Sequence, residues 1–188
     1  MTLASMTVLV TVLSPLLAQA ESDWAVSVYG GQWIGASNDD IMSLNVKDTY
    51  LAGLGVIYEF EQSPPHVRWE LEGQILQHFG LQHHTEFTLD IAVRWVTYPW
   101  DKWIDTSAAL GAGLSFATEE PELEKKENPD TGATKLLHYL VFELAFAPPG
   151  ESHWSVVLRL HHRSGVWGLF DGVGSASNFL MFGLRYRF

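Results

Sequence analysis

The stretch Trp154-Ser-Val-Val-Leu-Arg-Leu-His-His-Arg-Ser164 separates into two rows of different polarity when every second residue is taken. Successive side chains of a β-strand point to opposite faces, so residues two apart share a face. One face is apolar and ends in His162 and Ser164, whereas the other carries Arg159, His161 and Arg163. Such a division is inside-out for a soluble protein. It indicates a strand whose apolar face meets lipid, with the His162/Ser164 pair at the point where the lipid ends.

The same two-residue alternation recurs along the chain. Including the first stretch, the segments are 23–34, 48–61, 66–79, 84–98, 105–118, 134–147, 153–164 and 177–188. Each is close to the roughly 9–11 residues that a tilted membrane strand needs. A helical period does not fit, because it would scatter Arg68, Glu70 and Glu72 around a helix instead of stacking them on one side. The sequence therefore predicts eight strands.

An all-β chain with this alternation is either a soluble sandwich or barrel with an apolar interior, or a membrane barrel with a polar interior. The aromatic residues favour the membrane barrel. Five tryptophans lie near strand ends, as in an interfacial girdle: Trp24, Trp69, Trp95, Trp100 and Trp103. The chain also ends on Phe188, preceded in register by Tyr186, Leu184, Phe182 and Leu180, which resembles the assembly signal of bacterial outer-membrane proteins. We predict an eight-stranded antiparallel transmembrane β-barrel.

The interior of such a barrel would be charged. The predicted inward acids are Glu59, Glu70, Glu72, Asp90 and Glu143, and the inward bases are Arg68, Arg94, Arg159, Arg163 and Arg185. Eight strands enclose only enough room for side chains. We therefore expect these charges to interlock as a structural polar core without an open channel.

Residues 1–20 predict a secretory signal peptide. An apolar run is followed by Ala18-Gln-Ala20, the small-x-small pattern of a cleavage site. A short membrane anchor is the alternative, and it fits less well because Pro15 interrupts the run and polar residues follow directly. No Lys or Arg precedes the apolar run, which suggests a start upstream of Met1. We expect 1–20 to be removed and 21–188 to form the barrel, located in the bacterial outer membrane.

Composition excludes several classes of function. The chain has no cysteine, so neither a disulfide framework nor a thiol nucleophile is available. A net charge of −11 argues against a nucleic-acid partner. No nucleotide motif or Gly-rich phosphate loop is present, and we predict no cofactor. Neither His83-His84 nor His161-His162 offers three convergent ligands at a typical spacing, so no metal site is predicted.

Loop lengths orient the barrel. The connections at 61–66, 98–104 and 147–152 are short, those at 35–47, 119–133 and 165–176 are longer, and 80–83 is a short exception. Membrane barrels have short periplasmic turns and longer outer loops. Both mature ends should then lie in the periplasm, with His162 and Ser164 at the outer interface. The acidic stretch 119–130 is predicted to be a solvated, mobile loop, or alternatively to bind divalent cations that bridge lipopolysaccharide phosphates.

His162 and Ser164 are a candidate catalytic pair. A serine hydroxyl becomes a useful nucleophile only when a base takes its proton, and histidine has a suitable pKa near neutral pH. The His-x-Ser spacing is weak evidence by itself. Its setting strengthens it, because polar groups on a lipid-facing row are costly unless they lie at the rim or are paired.

At His162-Arg163-Ser164 the chain resembles the outer-membrane lipid A 3-O-deacylases of the acyloxyacyl hydrolase family. The resemblance implies that His162 is the general base and Ser164 the nucleophile. The implied activity is removal of an ester-linked 3-O-hydroxyacyl chain from lipid A of lipopolysaccharide in the outer leaflet. The alternative is a non-catalytic structural or adhesive outer-membrane barrel.

The chain departs from that family at two positions. The family's third catalytic residue is a Glu on strand eight, and counting back in register from Phe188 arrives at Asn178. Asn could orient the imidazole without supplying charge, and Asp171 is the alternative orienter if its loop folds back. The family's Asn after the serine is replaced by Gly165, whose backbone N–H is the expected oxyanion donor.

Overall fold

The computed structural model describes residues 23–36, 46–62, 65–150 and 152–188, so the predicted signal peptide lies outside the described residues. The eight strands are β1 (Trp24–Gly35), β2 (Thr49–Gln62), β3 (Val67–Gly80), β4 (Thr85–Trp95), β5 (Asp105–Ala117), β6 (Leu136–Ala147), β7 (Trp154–Ser164) and β8 (Ala176–Arg187). One short helix, α1 (Glu122–Glu127), lies between β5 and β6. No helix in the described part of the chain is long and apolar enough to cross a membrane.

The strands form a closed barrel in which each strand pairs with its neighbour in sequence. Closure is made by antiparallel pairing of β1 with β8, for example Val26 opposite Tyr186. The prediction of an eight-stranded antiparallel barrel is confirmed. We call the end that carries residues 46–48, 81–84, 118–135 and 165–175 the loop end, and the opposite end the turn end. Phe188 lies at the turn end, where its N–H donates to the Trp24 carbonyl at 3.1 Å.

The strand alternation divides the barrel into an apolar outside and a polar inside. The exposed outer row includes Leu54, Leu89 and Leu110. The five predicted girdle tryptophans are all exposed, and each lies toward the turn end. An apolar belt flanked by aromatic residues is the surface that a bilayer requires of a barrel. The chain has the architecture of a transmembrane β-barrel.

The interior is a network of buried ion pairs centred on Glu143. This carboxylate pairs with Arg94, Arg159 and Arg185, the last at 2.7 Å. Arg94 also donates to Glu70 through Nε at 2.5 Å and Nη2 at 3.0 Å. All the charges that the sequence placed in the interior face it, because each occupies the inward row of its strand. A buried charge is tolerated when it is paired and hydrogen-bonded, as Glu70 and Glu143 are. Asp90 is the exception, since neither of its carboxylate oxygens has a hydrogen-bond partner among the described residues.

The acidic segment 119–130 is largely exposed to solvent, as its sequence predicted, but part of it is buried. It contains α1, and Leu123 and Glu124 on this helix are buried. Glu124 accepts a hydrogen bond from Ser177 Oγ at 2.7 Å and pairs with Arg163 Nε at 2.9 Å. Burial raises the pKa of the Glu124 carboxyl, although Arg163 opposes the shift. The expectation was wrong for Glu124 because Arg163 points into the barrel mouth and draws this carboxylate onto it.

Candidate functional site

The candidate site is built on β7 and β8 at the loop end. In the register of these strands, His162 lies directly opposite Asn178. On the other side of β7, Leu140 of β6 is opposite His162, and His138 is opposite Ser164. Residues directly opposite each other have Cβ atoms about 4.5–5.5 Å apart. Strand pairing therefore brings the histidine and the asparagine together without any contribution from the loops.

A hydrogen bond joins these two side chains. His162 Nδ1–H donates to Asn178 Oδ1 at 2.6 Å. The amide orientation follows from its second contact, in which Asn178 Nδ2 donates to the Gly35 carbonyl at 3.1 Å. With the proton on Nδ1, the lone pair of His162 is on Nε2, and this is the nitrogen available to act as a base.

An irregularity in β1 makes the second contact. The pairing of β1 with β8 shifts register between Trp33 and Gly35, so that Gly35 lies opposite Asn178. A bulge bends its strand and re-aims nearby groups. Gly35 has a φ of 142°, which glycine adopts readily. Asn178 is consequently fully buried although it lies on the outward row.

Ser164 lies two residues from His162 on the same row of β7. Both side chains are partly exposed and line a groove of about 510 Å³ on the barrel surface. The groove wall includes Leu140, Val166 and Trp167. No hydrogen bond within the described residues joins Ser164 Oγ to His162, so the pair shares a groove without a preformed nucleophile–base contact. Such contacts are often long in structures without substrate.

Two of the expected site residues have other partners. Asp171 lies in the β7–β8 loop and accepts a hydrogen bond from Thr134 Oγ1 at 2.7 Å. It makes no contact with His162 in the part of the chain that the structure describes. Gly165 N–H donates to the Ser175 carbonyl at 2.9 Å. The expectation that Gly165 supplies the oxyanion donor is therefore wrong for this geometry, because the loop closes on its N–H.

The next two residues offer an alternative pair of donors. Val166 and Trp167 have φ values of 46° and 52° and both line the groove. Neither backbone N–H donates to an acceptor among the described residues. A β-branched residue in the left-handed region is strained, and such strain clusters at functional sites. No pattern in the sequence points to these groups, because backbone donors depend on loop conformation.

His138 is a further polar group at the site that the sequence did not single out. It lines the same groove as Ser164, and its Nδ1 is buried without a hydrogen-bond partner within the described residues. It stands on the apolar row of β6 with Leu140 and Phe142. A histidine on an otherwise apolar strand face was the available signal.

The expectation that no three metal-type ligands converge was also wrong. His78, His84 and Glu86 offer ligand atoms that all lie within 4.8 Å of one another. The three side chains are buried inside the barrel at the loop end. His83, the neighbour of His84 in the sequence, is instead exposed. The sequence could not reveal the cluster because it depends on the register of the β3–β4 hairpin.

Comparisons with known proteins show the fold and no more. No family model matches the sequence, and no curated protein matches it. The crystal structure of the outer membrane enzyme PagL is similar, with a TM-score of 0.54, 13% identity, and coverage of 85% of this chain and 97% of that one. The N-terminal β-barrel domain of Pseudomonas aeruginosa OprF is similar at a TM-score of 0.52 and 10% identity, covering 90% of this chain and 100% of that domain. The chain thus shares the fold of bacterial outer-membrane barrels.

Proposed function

We propose that the protein is an outer-membrane esterase that removes an ester-linked 3-O-hydroxyacyl chain from lipid A. The observation that carries the proposal is the hydrogen bond from His162 Nδ1–H to Asn178 Oδ1, which leaves Nε2 as a base on the row of Ser164. The site opens onto a groove on the outer surface of the barrel. A lipid substrate in the leaflet that surrounds the loop end could reach such a groove from the side.

The proposed chemistry is acyl transfer in two steps. Ser164 Oγ attacks the ester carbonyl carbon while its proton passes to His162 Nε2. The bond between the carbonyl carbon and the ester oxygen breaks, and this oxygen, which stays on the sugar, takes that proton from His162. Water then hydrolyses the acyl-serine by the reverse proton transfers. The Val166 and Trp167 N–H groups are the proposed donors to the oxyanion, since the structure leaves them without acceptors among the described residues.

A second candidate is a non-catalytic outer-membrane barrel. Two observations favour it: Asn178 brings no negative charge to His162, and no hydrogen bond joins His162 to Ser164 within the described residues. Under this alternative, the polar groups would satisfy one another at the rim of the lipid-facing surface. The fold is shared by the outer membrane enzyme PagL and by the OprF β-barrel domain, so the fold by itself does not favour either candidate.

Expression of the full chain in a Gram-negative host with complete lipid A tests the proposal. We expect lipid A that is lighter by one hydroxyacyl chain, with the released acid recovered in equal amount, because the ester is cleaved by water. The measurement is mass spectrometry of lipid A from isolated outer membranes. Unchanged lipid A, with the barrel inserted at a high level and migrating as a heat-modifiable band, would favour the non-catalytic barrel.

Substitutions at Asn178 test its role as the residue that positions His162. We expect Asn178→Ala to lower kcat about 10- to 100-fold, because the ring loses the acceptor that holds its tautomer. KM should change little, since Asn178 does not line the groove. Asn178→Asp should keep kcat above that of Asn178→Ala, because its carboxylate still accepts from His162 Nδ1–H and stabilises the imidazolium, although it loses the hydrogen bond to the Gly35 carbonyl. A longer Glu is a poorer choice, because Asn178 is fully buried between His162 and Gly35.

Asp171→Ala is the matched control for this series. Its carboxylate bonds Thr134, so we expect turnover close to that of the unaltered protein. Loss of turnover in Asp171→Ala with normal turnover in Asn178→Ala would reverse the assignment of the two residues. The measured quantities are kcat and KM for deacylation in mixed micelles of detergent and lipid A.

A further inference from the structure

A cluster of nitrogen and oxygen ligands lies inside the barrel, on the opposite side of the wall from the candidate active site. His161 and His162 are neighbours on β7, yet His161 points inward, where its Nε2 lies 3.1 Å from Glu86 Oε1. His162 points outward to Asn178. The interior cluster is therefore separate from the groove, and the proposed esterase makes no use of it.

The geometry of the β3–β4 hairpin assembles the cluster. His78 N–H donates to the His84 carbonyl at 2.9 Å, so these residues face each other across the hairpin. His84 immediately precedes β4 and lies two residues before Glu86, and both side chains are buried inside the barrel. The β3–β4 pairing begins at Gln77 opposite Thr85, which fixes this register. Three potential ligands thus come from one rigid hairpin.

We propose that His78, His84 and Glu86 form a binding site for a divalent transition metal ion, with zinc as the best match. Two imidazoles and one carboxylate are a ligand set that zinc uses in proteins, with a fourth position left for another ligand. Gln82, in the connection between the strands, contacts the other nitrogen of the His78 ring: its side-chain amide lies 3.3 Å from His78 Nδ1, which leaves Nε2 for the metal.

An unpartnered nitrogen supports the assignment. His84 Nε2 is buried and has no hydrogen-bond partner among the described residues. An unsatisfied buried polar atom of this kind costs free energy unless a ligand or water satisfies it. A neutral imidazole offers a lone pair at such a nitrogen, which is what a metal requires.

The cluster must contract to hold an ion. The ligand atoms lie within 4.8 Å of one another, whereas zinc bonds of 2.0–2.1 Å place tetrahedral ligands about 3.4 Å apart. The rings of His78 and His84 are stacked at 4.2 Å with an interplanar angle of 15°. Rotation of the His84 ring out of this stack would turn its free nitrogen toward Glu86. His84 precedes the first residue of β4, so this movement leaves the strand in place.

The charges around the cluster are compatible with a bound cation. Glu86 already accepts hydrogen bonds from His78 Nε2 at 2.7 Å and from Ser115 Oγ at 2.5 Å. A metal would take the place of the proton between His78 and Glu86. Arg163 lies 4.0 Å from Glu86 and would repel the ion, but its charge is balanced by Glu124 at 2.9 Å.

Metal titration of the untagged full-length protein in detergent tests the site. Zn²⁺ binding is measured by calorimetry, and Co²⁺ is used as a spectroscopic probe whose absorption bands report tetrahedral coordination. We expect one equivalent of either metal to bind with a Kd in the micromolar range or tighter. His84→Gln and His78→Gln should each weaken binding at least tenfold, because each removes one ligand.

His83→Gln is the matched control, since His83 is adjacent to His84 but exposed. It should bind metal as the unaltered protein does. The proposal is overturned if no stoichiometric binding occurs, or if His84→Gln binds as tightly as the unaltered protein. His84 lies outside the strands, so its variant keeps the test informative even if His78→Gln does not fold. Lipid A takes no part in the measurement, so its result is independent of the proposed esterase.

Discussion

Replacement of Ser164 by alanine is expected to reduce deacylation by about 10³- to 10⁶-fold, with the barrel still folded. The hydroxyl is the proposed nucleophile, and the other serine that lines the groove, Ser175, is fully buried. Loss of a catalytic serine in hydrolases of this type has effects of this size. Ser164 is partly exposed at the end of β7, so truncating it removes little packing.

His162→Ala should have an effect of similar size, and the double variant should be hardly worse than either single variant. Nucleophile and base act as a unit, so their losses do not add. The measurement is the single-turnover rate of acyl release from lipid A, together with the mass of lipid A in cells. His153→Gln is the matched control, because this histidine is exposed at the turn end and far from the groove.

Residual turnover in Ser164→Ala close to that of the unaltered protein would exclude Ser164 as the nucleophile. A loss in Ser164→Ala with normal turnover in His162→Ala would leave the serine as nucleophile but assign its base elsewhere. His138, which lies opposite Ser164 in the same groove, would then be the next residue to replace.

Glu143→Gln is expected to destabilise the barrel by about 3–5 kcal/mol. Glu143 is fully buried and pairs with Arg94, Arg159 and Arg185. The amide keeps the shape of the side chain but removes the charge that balances three guanidinium groups. Breaking a buried ion pair from one side leaves uncompensated charge in a medium that solvates it poorly. The free energy of unfolding is measured by urea titration in lipid vesicles, with tryptophan fluorescence as the signal.

Glu120→Gln is the control for the charge change itself. Glu120 pairs with Lys125 at 3.3 Å, and both side chains are at least half exposed. Exposed ion pairs contribute about 0–1 kcal/mol, so we expect almost no change in the free energy of unfolding. A loss of less than about 1 kcal/mol in Glu143→Gln would show that the remaining carboxylates, Glu70 and Glu72, are sufficient for the three arginines.

The two-residue period of the sequence was enough to predict which way each strand residue faces. It placed Arg159 inside and Leu158 outside, and it put His162, Ser164 and Asn178 on one outward surface by counting in steps of two. This information is local, because pleating alone sends successive side chains to opposite faces. Eight such segments on a chain of this length then indicated a closed barrel, which the structure confirms.

Register and loop conformation required the tertiary structure. The pairing of His162 with Asn178 depends on the register between β7 and β8. The contact of Asn178 with Gly35 depends on a bulge in β1. The pairing of Arg163 with Glu124 joins residues that are distant in sequence. The backbone N–H of Gly165 is occupied only because the β7–β8 loop folds back onto Ser175. None of these contacts leaves a periodic trace in the sequence.

The cluster of His78, His84 and Glu86 shows most clearly which features are set locally by the sequence and which require the tertiary structure. The alternation in the sequence is enough to turn His78 and Glu86 inward on their strands, whereas His84 lies in the connection just before β4. Only the hairpin register sets His78 opposite His84, and only barrel closure brings His161 of β7 against Glu86 of β4. Local alternation determines the face that a residue occupies, whereas chain closure, which is a non-local property, determines its neighbours on that face.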